Sequence, residues 1–131
     1  MIECLIVGDS IAVGTAQVRP ECVSLSQGGI NSRDWNKKNA GNSVAARTVI
    51  ISLGSNDYQG IPTEAELQKL RALTQADRVF WILPAIKPHV QSIVRQVAAA
   101  HGDTVIPITG LQKDGVHPNS AGYKAIATAT K

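Results

Sequence analysis

The chain is 131 residues long, with 44% apolar and 18% charged residues and a formal net charge of +3. This balance is typical of a globular protein, and the length suits a single domain over residues 1–131 with one core. No apolar run approaches the roughly 18 residues that a membrane span needs. The basic residues are too scattered to predict a nucleic-acid partner.

Short apolar runs alternate with helix-like stretches along the chain. Strands are predicted at Glu3–Val7, Glu21–Leu25, Arg47–Leu53, Arg78–Leu83 and Thr104–Ile106. Helices are predicted at Ile11–Val18, within Ser32–Val44, from Pro62 onward, at Pro88–His101 and at Asn119–Thr130. This alternation predicts an α/β protein in which helices cover both faces of a five-stranded parallel sheet, a three-layer α/β/α sandwich.

Ligands of such sheets bind beyond the carboxyl ends of the strands, so the segments after each strand are the place to look. They are Gly8-Asp9-Ser10, Gly28-Gly29-Ile30-Asn31, Gly54-Ser55-Asn56-Asp57, Pro84–His89 and Leu111–Pro118. All but Pro84–His89 carry groups that suit one reaction. Ser10 opens a helix, whose N-terminal N–H groups favour a developing anion. Asn56 offers an amide donor, and Asp114 precedes His117 closely enough to orient its ring.

Together these segments supply a nucleophile, a base, an orienting acid and oxyanion donors, which acyl transfer needs. They also resemble the motifs of the SGNH hydrolases, the GDSL esterase and lipase family. The matching stretches are GDS at 8–10, a glycine of QGGINS at 27–32, GSND at 54–57 and DGVHP at 114–118, in the family's order. The resemblance spans residues 2–125 and implies the family's flavodoxin-like fold.

The resemblance assigns roles to individual residues. It implies that Ser10 is the nucleophile, His117 its base and Asp114 the partner of that base. The backbone N–H of Ser10 and the side chain of Asn56 would bind the oxyanion. A glycine N–H would be the third donor, and Gly29 is preferred for it, with Gly28 left open. Ile11 replaces the leucine of GDSL, as in many members of the family.

We therefore expect a serine ester hydrolase that forms an acyl-enzyme and needs no metal or cofactor. The chain is shorter than most relatives, which predicts an open site and a short acyl group, such as acetyl, on a carbohydrate or another small ester. A thioesterase or lysophospholipase is the alternative enzyme. A non-catalytic glycan-binding or virion-structural module is the alternative of another class, since small chains of this kind also occur in phage genomes.

Several other residues carry weaker hypotheses. Trp35, Tyr58 and Arg33 fall near the matching stretches and are candidates for substrate binding, although packing is the default for the aromatics. Asp9 and Asp57 are expected to brace their loops rather than react.

The remaining expectations concern the cysteines and the location. Cys4 and Cys22 lie in strand-like runs without metal-type spacing and are expected to be buried free thiols, with a disulfide conceivable if the strands are neighbours. Without a signal peptide the chain is expected to be cytoplasmic, or virion-associated or released by lysis if it is encoded by a phage. The oligomeric state stays open.

Overall fold

The architecture is that of a computed structural model, which describes residues 1–131. Its elements in chain order are β1 (Cys4–Gly8), α1 (Ser10–Val18), β2 (Val23–Ser26), α2 (Ser32–Lys38), β3 (Val44–Ala45), β4 (Thr48–Ser52), α3 (Thr63–Leu73), β5 (Thr74–Gln75), β6 (Arg78–Ile82), α4 (Pro88–His101), β7 (Thr104–Ile106) and α5 (Ser120–Ala129). Five strands form one parallel sheet in the order β2-β1-β4-β6-β7. The predicted parallel sheet is confirmed.

A second, two-stranded sheet was not predicted. It pairs β3 with β5 in parallel, each only two residues long. Elements this short lack a periodicity that a sequence could show.

The central strands β1, β4 and β6 are buried on both faces, and their alternate side chains enter different cores. Leu5 and Val7 of β1 belong to a core under α2, α3 and α4, which Trp35 and Val94 help to fill. Ile6 belongs to the opposite core, under α1 and α5. The predicted three-layer sandwich is therefore confirmed. None of its helices is long and apolar enough to cross a membrane.

The expectation that the two cysteines are free thiols is wrong, because they form a disulfide. β1 and β2 are adjacent, and Leu5 lies opposite Val23. Cys4 and Cys22 precede these two residues and therefore face each other across the strand pair. The Cα atoms of Cys4 and Cys22 lie 4.8 Å apart, within the range that a disulfide bridges.

Candidate active site

Ser10 lies where β1 ends and α1 begins, at the carboxyl edge of the sheet. The chain turns sharply at Gly8, whose φ is +141°, and a Cβ there would collide with the carbonyl of Ser52. Asp9 caps the helix, since its Oδ1 accepts a hydrogen bond from the backbone N–H of Ile11 at 3.0 Å. As the first residue of the helix, Ser10 has a backbone N–H with no partner inside α1. Its side chain is half-buried.

His117 meets Ser10 across this edge. Its Nε2 lies 2.7 Å from the hydroxyl oxygen of Ser10. The other ring nitrogen, Nδ1, lies 2.6 Å from Oδ2 of Asp114. Since an ionised carboxylate only accepts hydrogen bonds, Nδ1 carries the proton and Nε2 is left to accept from the Ser10 hydroxyl.

Asp114 is held as an anion. Its Oδ1 accepts from the backbone N–H groups of Val116 and His117, at 2.9 and 3.0 Å. These two bonds, with the imidazole of His117 as the smaller contribution, lower the pKa of Asp114 to about 2. The carboxylate is therefore charged throughout the pH range in which His117 acts as a base.

The two halves of this chain of hydrogen bonds are joined by helix packing. Tyr123 of α5 lies against Gly14 of α1, so closely that a Cβ at Gly14 would collide with the ring. Gly14 is one helical turn beyond Ser10, and Tyr123 lies in the first turn of α5, which follows the loop that carries His117. The close approach of α1 and α5 thus sets the distance between Ser10 and His117.

Asn56 lies in a tight turn after β4. The N–H of Asp57 donates to the carbonyl of Gly54 at 3.0 Å and closes the turn. The side-chain Nδ2 of Asn56 donates to the carbonyl of Ile30, in the loop after β2, at 3.1 Å. An amide nitrogen carries two hydrogens, so the other remains for a ligand.

Gly28, in the loop after β2, lies beside Ser10. The N–H of Ile30 donates to the carbonyl of Gln27, so Gly28 and Gly29 are the central residues of a turn. A Cβ on Gly28 would lie 3.9 Å from Cβ of Ser10, whereas one on Gly29 would meet no atom within 4 Å. Gly29 has a φ of +78°, which explains why glycine is present there. The choice between their N–H groups as the third donor stays a prediction.

Asp57 and Asp9 are both buried, and both tie their loops to neighbouring elements. Asp57 accepts from the N–H and the hydroxyl of Ser32 and from the hydroxyl of Thr63, at 2.6 to 2.9 Å. Asp9 accepts from the Ser52 hydroxyl at 3.0 Å through Oδ1, but its Oδ2 has no partner. Burial raises the pKa of Asp9 to about 6, against smaller opposing effects of these hydrogen bonds.

The three residues considered for substrate binding divide into two groups. Trp35 is wrong for this role, because its side chain is packed in the core and its Nε1 donates to the carbonyl of Leu25 at 2.9 Å. Burial of the large apolar indole is favourable, so the side chain of Trp35 packs in the core although the residue is close to a site loop in the sequence. Tyr58 is exposed, and Nη2 of Arg33 donates to its hydroxyl at 3.3 Å, so this pair remains available to a ligand.

Lys87 is the residue near the site that the sequence did not indicate. It belongs to Pro84–His89, the segment after a strand that carries none of the expected chemistry. Its Nζ donates to the carbonyls of Ser55 and Asp57, at 2.7 and 2.6 Å. A lysine in a loop has no spacing signal that predicts such a contact.

A cavity of about 490 Å³ lies between the turn after β4 and the loop after β6. Asp57, Tyr58, Ile61, Lys87 and His89 are among its lining residues. Ser10 and His117 are not, so this space adjoins the turn of Asn56 rather than enclosing the candidate nucleophile.

Solved structures share this architecture. A GDSL-like lipase from Bacteroides thetaiotaomicron aligns over 96% of this chain and 84% of its own, with a TM-score of 0.68 and 18% identity. The protein has the SGNH hydrolase fold. The same fold is shared with a GDSL-like protein from Parabacteroides merdae, over 97% of this chain and 92% of that one, with a TM-score of 0.71 and 15% identity.

A third similar structure extends the range of chemistry found on the SGNH hydrolase fold. It is the C-terminal catalytic domain of the peptidoglycan O-acetyltransferase A of Streptococcus pneumoniae, with a TM-score of 0.62 and 18% identity over 97% of this chain and 89% of that domain. No protein-family model and no curated protein matches the sequence. At these identities the likeness shows the fold, and function has to be argued from the site.

Proposed function

We propose that this protein is a serine ester hydrolase. The observation that carries the proposal is the hydrogen-bonded chain from Asp114 through His117 to the hydroxyl of Ser10, at 2.6 and 2.7 Å. A serine hydroxyl is a weak nucleophile unless a base removes its proton as it attacks. The neutral Nε2 of His117 is placed to do so, and the Asp114 carboxylate stabilises the imidazolium that results.

The reaction proceeds in two halves. Oγ of Ser10 bonds to the ester carbonyl carbon while its proton moves to Nε2 of His117. The tetrahedral intermediate then collapses, the carbon–oxygen bond to the alcohol breaks, and His117 protonates the leaving oxygen. Water, deprotonated by His117, then attacks the carbonyl carbon of the acyl-Ser10 ester. The bond from this carbon to Oγ breaks, His117 returns the proton to Oγ, and the carboxylic acid leaves. No metal or cofactor enters either half.

The oxyanion of each intermediate needs donors that are already in place. The backbone N–H of Ser10 is one, at the positive end of α1. The free hydrogen of the Asn56 amide is the second. We propose the N–H of Gly29 as the third donor, and the N–H of Gly28 is the alternative.

We further propose that the substrate is a short acyl ester, such as an acetyl group, on a carbohydrate. The site is open, since the side chains of His117 and Asp114 are 34% and 46% exposed. None of the cavities in the protein is lined by Ser10, so no enclosed tunnel for a lipid tail leads from the nucleophile, and the open site leaves room for a bulky polar alcohol. One neighbour is a peptidoglycan O-acetyltransferase by name, which supports an acetylated glycan as the class.

The test is hydrolysis of p-nitrophenyl esters from acetate to dodecanoate by the parent, by Ser10→Ala and by Ser43→Ala. Ser43 is an exposed serine away from the sheet edge, so its variant is the matched control. We expect turnover that needs Ser10, survives Ser43→Ala and declines beyond butyrate. A maximum at long chains would favour the thioesterase or lysophospholipase instead. Glycan binding without turnover, unchanged in Ser10→Ala, would favour the non-catalytic module.

A further inference from the structure

Lys87 has a backbone conformation that its sequence disfavours. Its φ is 64° and its ψ is 79°, and no other residue besides glycines has a positive φ. A side-chain Cβ disfavours this left-handed region, and the proline that follows, Pro88, restricts the residue before it towards extended conformations. Such a conformation persists where the surrounding contacts hold it, and these residues cluster at functional sites.

Lys87 is held by its carbonyl, which accepts from the N–H of Gln91, and by its ammonium group. Nζ donates to the carbonyl of Ser55 at 2.7 Å and to that of Asp57 at 2.6 Å. These are the residues on either side of Asn56. Hydrogen bonds from a charged donor are shorter and stronger than neutral ones, so two of them restrain the orientation of the turn firmly.

The other hydrogen bonds of the turn are made by the N–H and the carboxylate of Asp57. The carbonyl of the peptide group between Ser55 and Asn56 is bound by Lys87. Asn56 is half-buried, and its own side chain is tied by one hydrogen bond, to the carbonyl of Ile30 at 3.1 Å. A rotation of the peptide group between Ser55 and Asn56 would swing the amide away from the position that a donor to the oxyanion must occupy.

We propose that Lys87 is a positioning residue for Asn56, acting through the carbonyls of Ser55 and Asp57. The inference rests on the proposed function, in which Asn56 is an oxyanion donor. Two of the three ammonium hydrogens of Lys87 bind the turn, and its polar contacts include neither Ser10 nor His117. A misplacement of about 1 Å in a catalytic group costs on the order of 10²-fold in rate, so loss of this restraint lowers kcat rather than substrate affinity.

The first test compares Lys87→Met, Lys87→Arg and the matched control Lys124→Met, an exposed lysine of α5, with p-nitrophenyl acetate. We expect Lys87→Met to lower kcat by about 10- to 100-fold with KM within about twofold of the parent. Lys87→Arg, which keeps a charged donor, recovers at least part of the loss, and Lys124→Met changes neither constant. A Lys87→Met enzyme with the kcat of the parent overturns the inference.

A double-mutant cycle separates positioning of Asn56 from a general effect on the fold. If Lys87 acts through Asn56, Lys87→Met costs little further kcat once Asn56→Ala is present. Fully additive losses would show that Lys87 acts elsewhere and would overturn the inference.

A readout independent of turnover keeps this inference distinct from the proposed function. The side-chain amide resonances of Asn56 in ¹H–¹⁵N spectra report its position whether or not the protein hydrolyses esters. If the parent shows no turnover, the proposed function fails. In that case the positions of these resonances in Lys87→Met decide whether Lys87 holds Asn56: a clear shift supports the contact and an unchanged pair overturns it.

Discussion

The hydroxyl of Ser10 and the imidazole of His117 lie 2.7 Å apart although 107 positions separate them in the chain. One residue follows the first strand in the chain and the other precedes the last helix. A parallel sheet brings them together because each crossover returns the chain so that all strands end at the same edge. Contact between α1 and α5, through Gly14 and Tyr123, then fixes the separation.

Asp114→Asn is expected to lower kcat by about 10³- to 10⁴-fold. Its Oδ1 can still accept from the N–H groups of Val116 and His117. The new amide would then donate to Nδ1 of His117, which places the ring proton on Nε2 and removes the base. Steady-state kinetics at pH 7 to 8 measures the loss.

Asp77→Asn is the control for this change, because Asp77 is an exposed aspartate outside the site. In the parent, the pKa of Asp114 is about 2, below its ordinary value of 3.8. The ionised carboxylate therefore stabilises the loop at pH above 3.8, and this stabilisation is lost as the pH falls towards 2. An Asp114→Asn enzyme as active as Asp77→Asn would show that His117 does not need Asp114.

Asn56→Ala is expected to lower kcat by about 10²- to 10³-fold and to leave KM nearly unchanged, because it removes one oxyanion donor. Loss of the bond to the Ile30 carbonyl costs about 1 kcal/mol of unfolding free energy in addition. Kinetics and denaturant unfolding of the same preparation measure the two effects. A variant that loses stability but keeps kcat would assign Asn56 a structural role alone.

Asp9→Asn is expected to stabilise the protein at pH 8 and not at pH 4. The folded pKa of Asp9, about 6, exceeds its ordinary value of 3.8. The folded state therefore holds the proton more tightly, and stability falls as the pH rises from about 4 to above 6, by roughly 3 kcal/mol in all. Asparagine is neutral at every pH and caps a helix as well as aspartate does.

Urea unfolding of the parent and of Asp9→Asn between pH 4 and pH 8 measures this effect. Asp77→Asn again serves as the control, since that side chain is exposed. A parent whose unfolding free energy stays level over this range, or a variant that is less stable at pH 8, would show that the Asp9 carboxylate finds a partner in solution.

Cleavage of the disulfide is expected to lower the unfolding free energy by about 3 kcal/mol, the loop-closure contribution for cysteines 18 positions apart. Cys22→Ala or treatment with a reductant tests it, and thiol titration of the unreduced protein shows whether the bond is present. Two titratable thiols in freshly purified protein would contradict the pairing. Disulfides persist in oxidising compartments, so their state in cells also reports where the protein works.

Much of the fold was accessible from the sequence because its signals are local. Arg78–Ile82 and Pro88–His101 were predicted to within one residue, since an apolar run bounded by proline and a helical stripe ended by Gly102 leave few alternatives. Ser10, Asn56, Asp114 and His117 stood out because each follows a strand or lies in a turn of distinctive composition. Their placement at one edge then follows from parallel topology.

The rest depends on which elements become neighbours, and that is a long-range property. The disulfide required β1 and β2 to be adjacent at a particular register. Packing was the default for Trp35, and its sequence position near a matching stretch could not exclude substrate binding; the helix turns the indole into the core. Lys87 reaches the turn of Asn56 through a backbone conformation that no local pattern predicts.

The most direct test of the central claim is covalent labelling of the folded protein with an alkyl fluorophosphonate, followed by intact mass measurement and peptide mapping. The probe phosphonylates a serine only where a base and an oxyanion site activate it, so it does not depend on knowing the substrate. We predict one adduct, on Ser10, that is absent in Ser10→Ala and unchanged in Ser43→Ala. A folded parent that stays unlabelled, or an adduct that persists in Ser10→Ala, would contradict the assignment of Ser10 as the nucleophile.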